Sequence, residues 1–141
     1  MGRRLLALGA LAVLVVATTA CAPRPVRSAT IEGQRWELLV GNGDGMRGLD
    51  GFAGKDGMLF AYDREVDHRV AAWVMDGVAL PLAIAWFDGD GRLVGTTTMP
   101  ICPEEPCPLH QAPAPYRWAV EAPVGAFDAL PSDATFALDG S

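Results

Sequence analysis

Leu82–Met99 reads LAIAWFDGDGRLVGTTTM: an apolar run, an Asp-Gly-Asp-Gly segment, and a run rich in threonine and aliphatic residues. The first run is too short for a typical buried helix, and β-branched residues in the second favour extended backbone. Glycine between them tolerates the positive φ angles of a tight hairpin turn. The stretch therefore predicts strand, turn, strand. Pro81 starts the first strand, because proline cannot donate to an interior ladder.

Working outward, Gly57–Tyr62 (GMLFAY) and Val70–Met75 (VAAWVM) are further short apolar runs bounded by turn residues, and both predict strands. Trp36, Leu38 and Val40 alternate with Arg35, Glu37 and Leu39. Tyr116, Trp118 and Val120 alternate with Arg117, Ala119 and Glu121. Period-two patterns of this kind predict half-buried strands. Helix is sparse. Asp44–Leu49 offers one turn, weakened by Gly45 and Gly48, and Val124–Leu130 is the better candidate, stopped by Pro131. With 16 glycines and 11 prolines punctuating the chain, the expected fold class is mainly β with minor α. It is a small curled sheet or barrel-like domain with one or two short helices, preceded by a signal peptide. Curling protects sheet edges that would otherwise invite pairing with other chains.

The N-terminus reads as an address. Arg3 and Arg4 precede the apolar Leu5–Val16, and small residues lead to Cys21. That order is a secretory signal peptide, with an apolar run too short to span a bilayer. Cysteine directly after the small residues resembles a bacterial lipobox, which implies acylation of Cys21. Residues 1–20 are then a lipoprotein signal peptide, 21–33 the acylated cysteine and a tether stiffened by Pro23 and Pro25, and 34–139 one β-rich domain. The expected location is the periplasmic or extracellular face of a bacterial membrane, held by lipid on Cys21.

The chain has 141 residues, the size of one domain, with 11 basic and 17 acidic residues and a formal charge of −6. Loss of Arg3 and Arg4 with the signal would take this to −8. Such a chain has no basic surplus to neutralise phosphates, so nucleic acid is not an expected partner.

Gly45-Met46-Arg47-Gly48-Leu49 followed by Asp56-Gly57-Met58-Leu59-Phe60, Trp73-Val74-Met75, Pro81-Leu82-Ala83-Ile84, Asp90-Gly91 and Tyr116 through Glu121 resembles, in that order, the domain of unknown function family number 192. Secreted, lipoprotein-type members also carry a Pro/Cys loop like Cys102–Pro108. The resemblance spans about residues 34–138 and implies a mainly β domain without an agreed chemistry. Gly77, Val78 and Ala83 stand where the family usually has polar residues, so any family site built on those is reduced here.

Cys102 and Cys107, in a proline-rich loop outside the cytoplasm, are expected to form a disulfide. The competing reading is a soft metal site from Cys102, Cys107 and His110, with Met99 nearby, which lacks a clear fourth ligand for a closed zinc site. Asp88-x-Asp90-Gly91 starts like a calcium loop, but Met99 occupies the twelfth position where glutamate is needed. Asp63, Glu65 and Asp67 alternate and read as a solvated acidic edge. His68 reads as a surface residue, and Ser28, Ser132 and Ser141 sit in no Gly-x-Ser-x-Gly elbow. No catalytic set, metal or cofactor is expected.

The four tryptophans (Trp36, Trp73, Trp86, Trp118) read mainly as core, with one able to line a groove. The expected function is a non-enzymatic, lipid-anchored envelope module. It binds a small ligand or an envelope protein in a groove beside the hairpin and Cys loop, with Trp73, Asp76, Trp86 and Tyr116 as ligand-binding residues. The alternative is an envelope hydrolase of glycans or peptides using carboxylates such as Asp76 and Glu121. A structural accessory domain is the third reading.

Overall fold

A computed structural model describes residues 22–140. The segment expected to be a signal peptide and the expected lipidation site Cys21 lie outside the described residues. Nine strands follow in order: β1 (Val26–Ile31), β2 (Gln34–Val40), β3 (Gly57–Val66), β4 (Trp73–Val74), β5 (Leu82–Phe87), β6 (Leu93–Met99), β7 (Leu109–His110), β8 (Tyr116–Pro123) and β9 (Phe136–Leu138). Seven of them form one sheet in the order β6-β5-β8-β3-β2-β1-β9, and β4 pairs with β7 separately. All neighbours are antiparallel except β2 and β3, which run parallel, with residues 41–56 carrying the chain between them.

The sheet curls until its end strands meet. The Phe136 N–H donates to Gly91 O at 2.7 Å, the Leu93 N–H donates to Ala134 O at 2.9 Å, and Arg92 bridges to Thr135. The two edge strands are thereby joined at one end, in keeping with a curled, barrel-like sheet. The Asp88–Arg92 turn closes as the sequence predicts. The Asp88 carboxylate accepts the Asp90 and Arg92 N–H groups, each at 2.9 Å, and Gly91 takes φ +78°. That carboxylate oxygen, Oδ1, closes its own turn.

Two apolar clusters lie on opposite faces of the sheet. Alternation along β5 sends Leu82, Ile84 and Trp86 to one and Ala83, Ala85 and Phe87 to the other. This explains the uninterrupted apolar run: a central strand covered on both sides has no solvent face to mark with polar residues. The inner cluster contains small side chains (Ala29, Ala83, Ala85, Ala122), which let the curl close tightly around Phe87, Phe127 and Phe136. The outer cluster is roofed by the loops carrying Met46, Phe52 and Met75.

Three expectations change. No helix exists among the described residues. Asp44–Leu49 and Val124–Leu130 are instead successive turns whose N–H groups reach back three residues, as Arg47 to Asp44 O and Leu130 to Phe127 O. Positive φ at Gly45, Gly48 and Gly125 interrupts helical geometry there. The run Val70–Met75 contributes only the two-residue β4, because an Asp67–Val70 turn leaves Val70 83% exposed. The stretch read as tether enters the fold early: β1 begins at Val26, inside the 21–33 boundary, and buries Ala29 and Ile31. A tight turn with positive φ at both Glu32 (46°) and Gly33 (74°) then returns the chain into β2.

Candidate functional site

On the outer face of the sheet a cavity of about 420 Å³ opens between β3, β4, β8 and the loop of residues 42–47. Its volume lies within the usual range for small-molecule sites. Aromatic rings form its walls. Phe60 and Trp73 meet edge to face at 4.6 Å between centroids, and Tyr62 and Tyr116 do so at 5.9 Å. Trp73 Nε1 donates to the Tyr116 hydroxyl at 3.3 Å. Phe60 is seated against the bare backbone of Gly41, where a Cβ would come within 2.6 Å of the ring. A larger residue at 41 would push this wall into the cavity.

The polar feature inside is Glu121. Strand alternation predicts a half-buried β8 with Arg117, Ala119 and Glu121 on one side, opposite Tyr116, Trp118 and Val120. A register shift opposite residues 61–66 of β3 changes this, placing Tyr116 in the same cluster as Ala119 while Val120 and Ala122 face the other cluster. The Glu121 face is therefore not a water face. Its cross-strand neighbours are Met58 and Ile84, it is 5% exposed, and it lines the cavity. Oε2 has no hydrogen-bond partner. Burial penalises the charged carboxylate and pushes its pKa up to about 7. Burial likewise pushes Tyr62 up to about 12, reinforced by Tyr116 and by the Glu121 charge.

Asp76 stands at the rim with its side chain 49% exposed, held by Arg47 at 2.9 Å. Arg47 Nε also donates to the Asp76 carbonyl at 3.2 Å, tying the 42–47 loop to the turn after β4. The Cys loop lies against this rim: ligand atoms of Asp76, Glu105 and Cys107 lie within 4.8 Å of one another. Cys102 and Cys107 are joined in a disulfide with Cα atoms 5.6 Å apart, so neither sulfur is a thiolate ligand. The Asp88 hairpin does not line the cavity; it reaches β3 through Gly89 N–H to Glu65 at 2.9 Å. On the acidic edge, Asp67 pairs with Arg69 at 2.9 Å, which holds the Asp67 carboxyl down at about 2.

Of the four residues read from the sequence as ligand-binding, Trp73, Asp76 and Tyr116 line this cavity together. Trp86 does not. It is 1% exposed and packs behind Tyr116, 6.4 Å between ring centroids, because β5 is covered on both faces. Trp36 and Trp118 stack on Phe127 and Phe136 on the inner side. Phe60 and Tyr62 went unrecognised as site residues because GMLFAY reads only as a buried apolar run.

The sequence profile of the DUF192 family, described as an uncharacterized ACR, matches residues 41–134. Curated proteins yield no match. Two solved structures share the fold at 16% identity. A protein from Sinorhizobium meliloti 1021, described as a candidate transcription regulator, aligns with a TM-score of 0.65 over 84% of this chain and 98% of its own. A protein of unknown function from Novosphingobium aromaticivorans DSM 12444 aligns with a TM-score of 0.63 over 79% of this chain and 84% of its own.

Proposed function

This chain belongs to the DUF192 family, and from that premise we propose that it is a secreted, lipid-anchored envelope module that binds a small molecule in the aromatic cavity above Glu121. The observation that carries this reading is the buried Glu121 carboxyl with no hydrogen-bond partner on Oε2. A buried polar group left unpaired costs on the order of 1–3 kcal/mol. A ligand that completes its hydrogen bonds would offset that cost. Among the described residues no helix is long and apolar enough to cross a membrane. The Cys102–Cys107 disulfide fits an oxidising compartment. Lipid on Cys21 would supply the membrane attachment. With β1 starting at Val26, Ala22–Pro25 would then separate anchor from sheet by roughly 13 Å of extended chain, holding the domain close to the bilayer.

A thermal-shift screen of cell-wall fragments, sugars, amines and metals tests the binding role, since a ligand in excess stabilises the folded state by mass action. A hit abolished by Trp73→Ala supports it. A panel-wide absence of Trp73-dependent shifts rejects it. Metabolic labelling with a clickable fatty acid tests the anchor: Cys21→Ala must abolish the label.

One observation favours a second reading. Asp76 and Glu121 share one cavity, and their environments differ: Arg47 pairs with Asp76, while burial favours the protonated form of Glu121. Glycoside hydrolysis uses two carboxyl groups whose surroundings differ in this way. Turnover of a chromogenic glycan or peptide, lost in Glu121→Gln, would move the assignment to an envelope hydrolase.

A further inference from the structure

We propose that the cavity receives an organic ammonium cation, with Glu121 as its counter-ion and the rings of Phe60, Tyr62, Trp73 and Tyr116 as its walls; this rests on the reading of the cavity as a binding site. Ring faces attract cations through their quadrupoles, and the attraction grows when water is excluded. A carboxylate at the base supplies the full charge that rings alone lack. The two together select a bulky, weakly hydrated cation over other ligand classes.

A metal ion fits poorly. Calcium takes 6–8 oxygen ligands, and among the described residues Glu121 belongs to no cluster of three carboxylate, thiol or imidazole ligand atoms. An anion meets the wrong sign, because among the described residues lining the cavity the cationic side chain is Arg47, already paired to Asp76 at 2.9 Å. A neutral sugar would leave the charge on Glu121 uncompensated once that group ionises. Space favours an organic ion as well, since about 420 Å³ far exceeds what a bare metal requires.

Proton linkage follows from the same arrangement. The titratable and charged groups that line the cavity with Glu121 are Tyr62 from β3, Tyr116 from its own strand, and Asp44, Arg47 and Asp76 from the rim. On the β5 side the same face offers Leu82, Ile84 and Trp86, none of which titrates. Burial raises the Glu121 carboxyl to about 7, so its charge changes near neutrality. A permanent cation requires it ionised, so binding releases a proton below neutral pH, and affinity falls about tenfold per pH unit there.

Isothermal titration calorimetry of the purified protein at about pH 8 tests this with three probes: choline, its uncharged isostere 3,3-dimethylbutan-1-ol, and glucose. Choline is expected to bind at least about tenfold more tightly than the isostere, with the preference abolished in Glu121→Gln. Tyr62→Leu provides a second variant, since Tyr62 is 36% exposed at the mouth and its loss spares the core; it is expected to weaken choline several-fold. Equal binding of isostere and choline, or heat from glucose alone, lost in Tyr62→Leu, overturns the cation assignment and leaves a binding cavity. No Tyr62-dependent heat from any of the three overturns the cation assignment together with the binding reading.

Discussion

Replacing Glu121 by glutamine should make the protein's stability less dependent on pH. In the folded chain the carboxyl titrates near 7, against an ordinary value of 4.5, and burial is the cause. The folded state thus holds its proton more tightly than the unfolded state. Between those two values the native chain binds more protons, so stability falls as pH rises, by about 1.4 kcal/mol per pH unit. The contribution is fully present below the lower value and lost once pH has passed the upper one. The whole loss is on the order of 3 kcal/mol, which for a domain of this size lowers the melting temperature by roughly 10 °C. Urea unfolding of wild type and Glu121→Gln from about pH 4.5 to pH 8.5 reads this directly, and the difference curve cancels the other titrating groups. The wild type should lose stability relative to the variant as pH climbs, with the gap flattening above neutrality. Parallel curves across that range would refute the placement of an unpaired carboxyl in an apolar wall.

Other perturbations separate core, staple and rim. Trp86→Ala should cost about 3–5 kcal/mol in urea unfolding, because the side chain is 1% exposed; Trp73→Ala, at the cavity wall, should cost less and act mainly on ligand binding. Cys102→Ser with Cys107→Ser should lower stability by about 2 kcal/mol or less, since the ring is short and Pro103 and Pro106 already restrict it. Gly57→Ala should destabilise by at least about 1–3 kcal/mol in thermal melts, because its Cβ would collide with the Glu121 carbonyl oxygen of the neighbouring strand. Arg47→Ala should change stability by less than about 1 kcal/mol, as its pair with Asp76 is half in water.

The parts of the fold legible in the sequence were those with local causes. The Asp88–Arg92 hairpin carries its turn chemistry in adjacent residues, and β2, β3 and β8 carry periodic or apolar signals. β1 was hidden because Pro23 and Pro25 mark a tether and only Ala29 and Ile31 bury apolar groups on that strand. β7 and β9 are two and three residues long, below any periodic signal. Helix candidates failed for a local reason too, since glycines with positive φ punctuate both segments. For the site, Trp73, Asp76 and Tyr116 were within reach because aromatics and an acid flank predicted strands. Glu121 was legible as a carboxylate, yet its burial depends on the β3–β8 register and on loops that cover the sheet from distant positions. Trp86 was misplaced for the same kind of reason: which face of β5 meets a cavity is decided by what packs over it.

The most direct measurement is a carbon-13 NMR titration of the side-chain carboxyls, assigned by Glu121→Gln, with and without saturating choline. One glutamate should titrate near pH 7 in the free protein and shift toward the ordinary carboxyl range when the cation is bound. A Glu121 that titrates near 4.5 and ignores choline would contradict both the buried counter-ion and the site built around it.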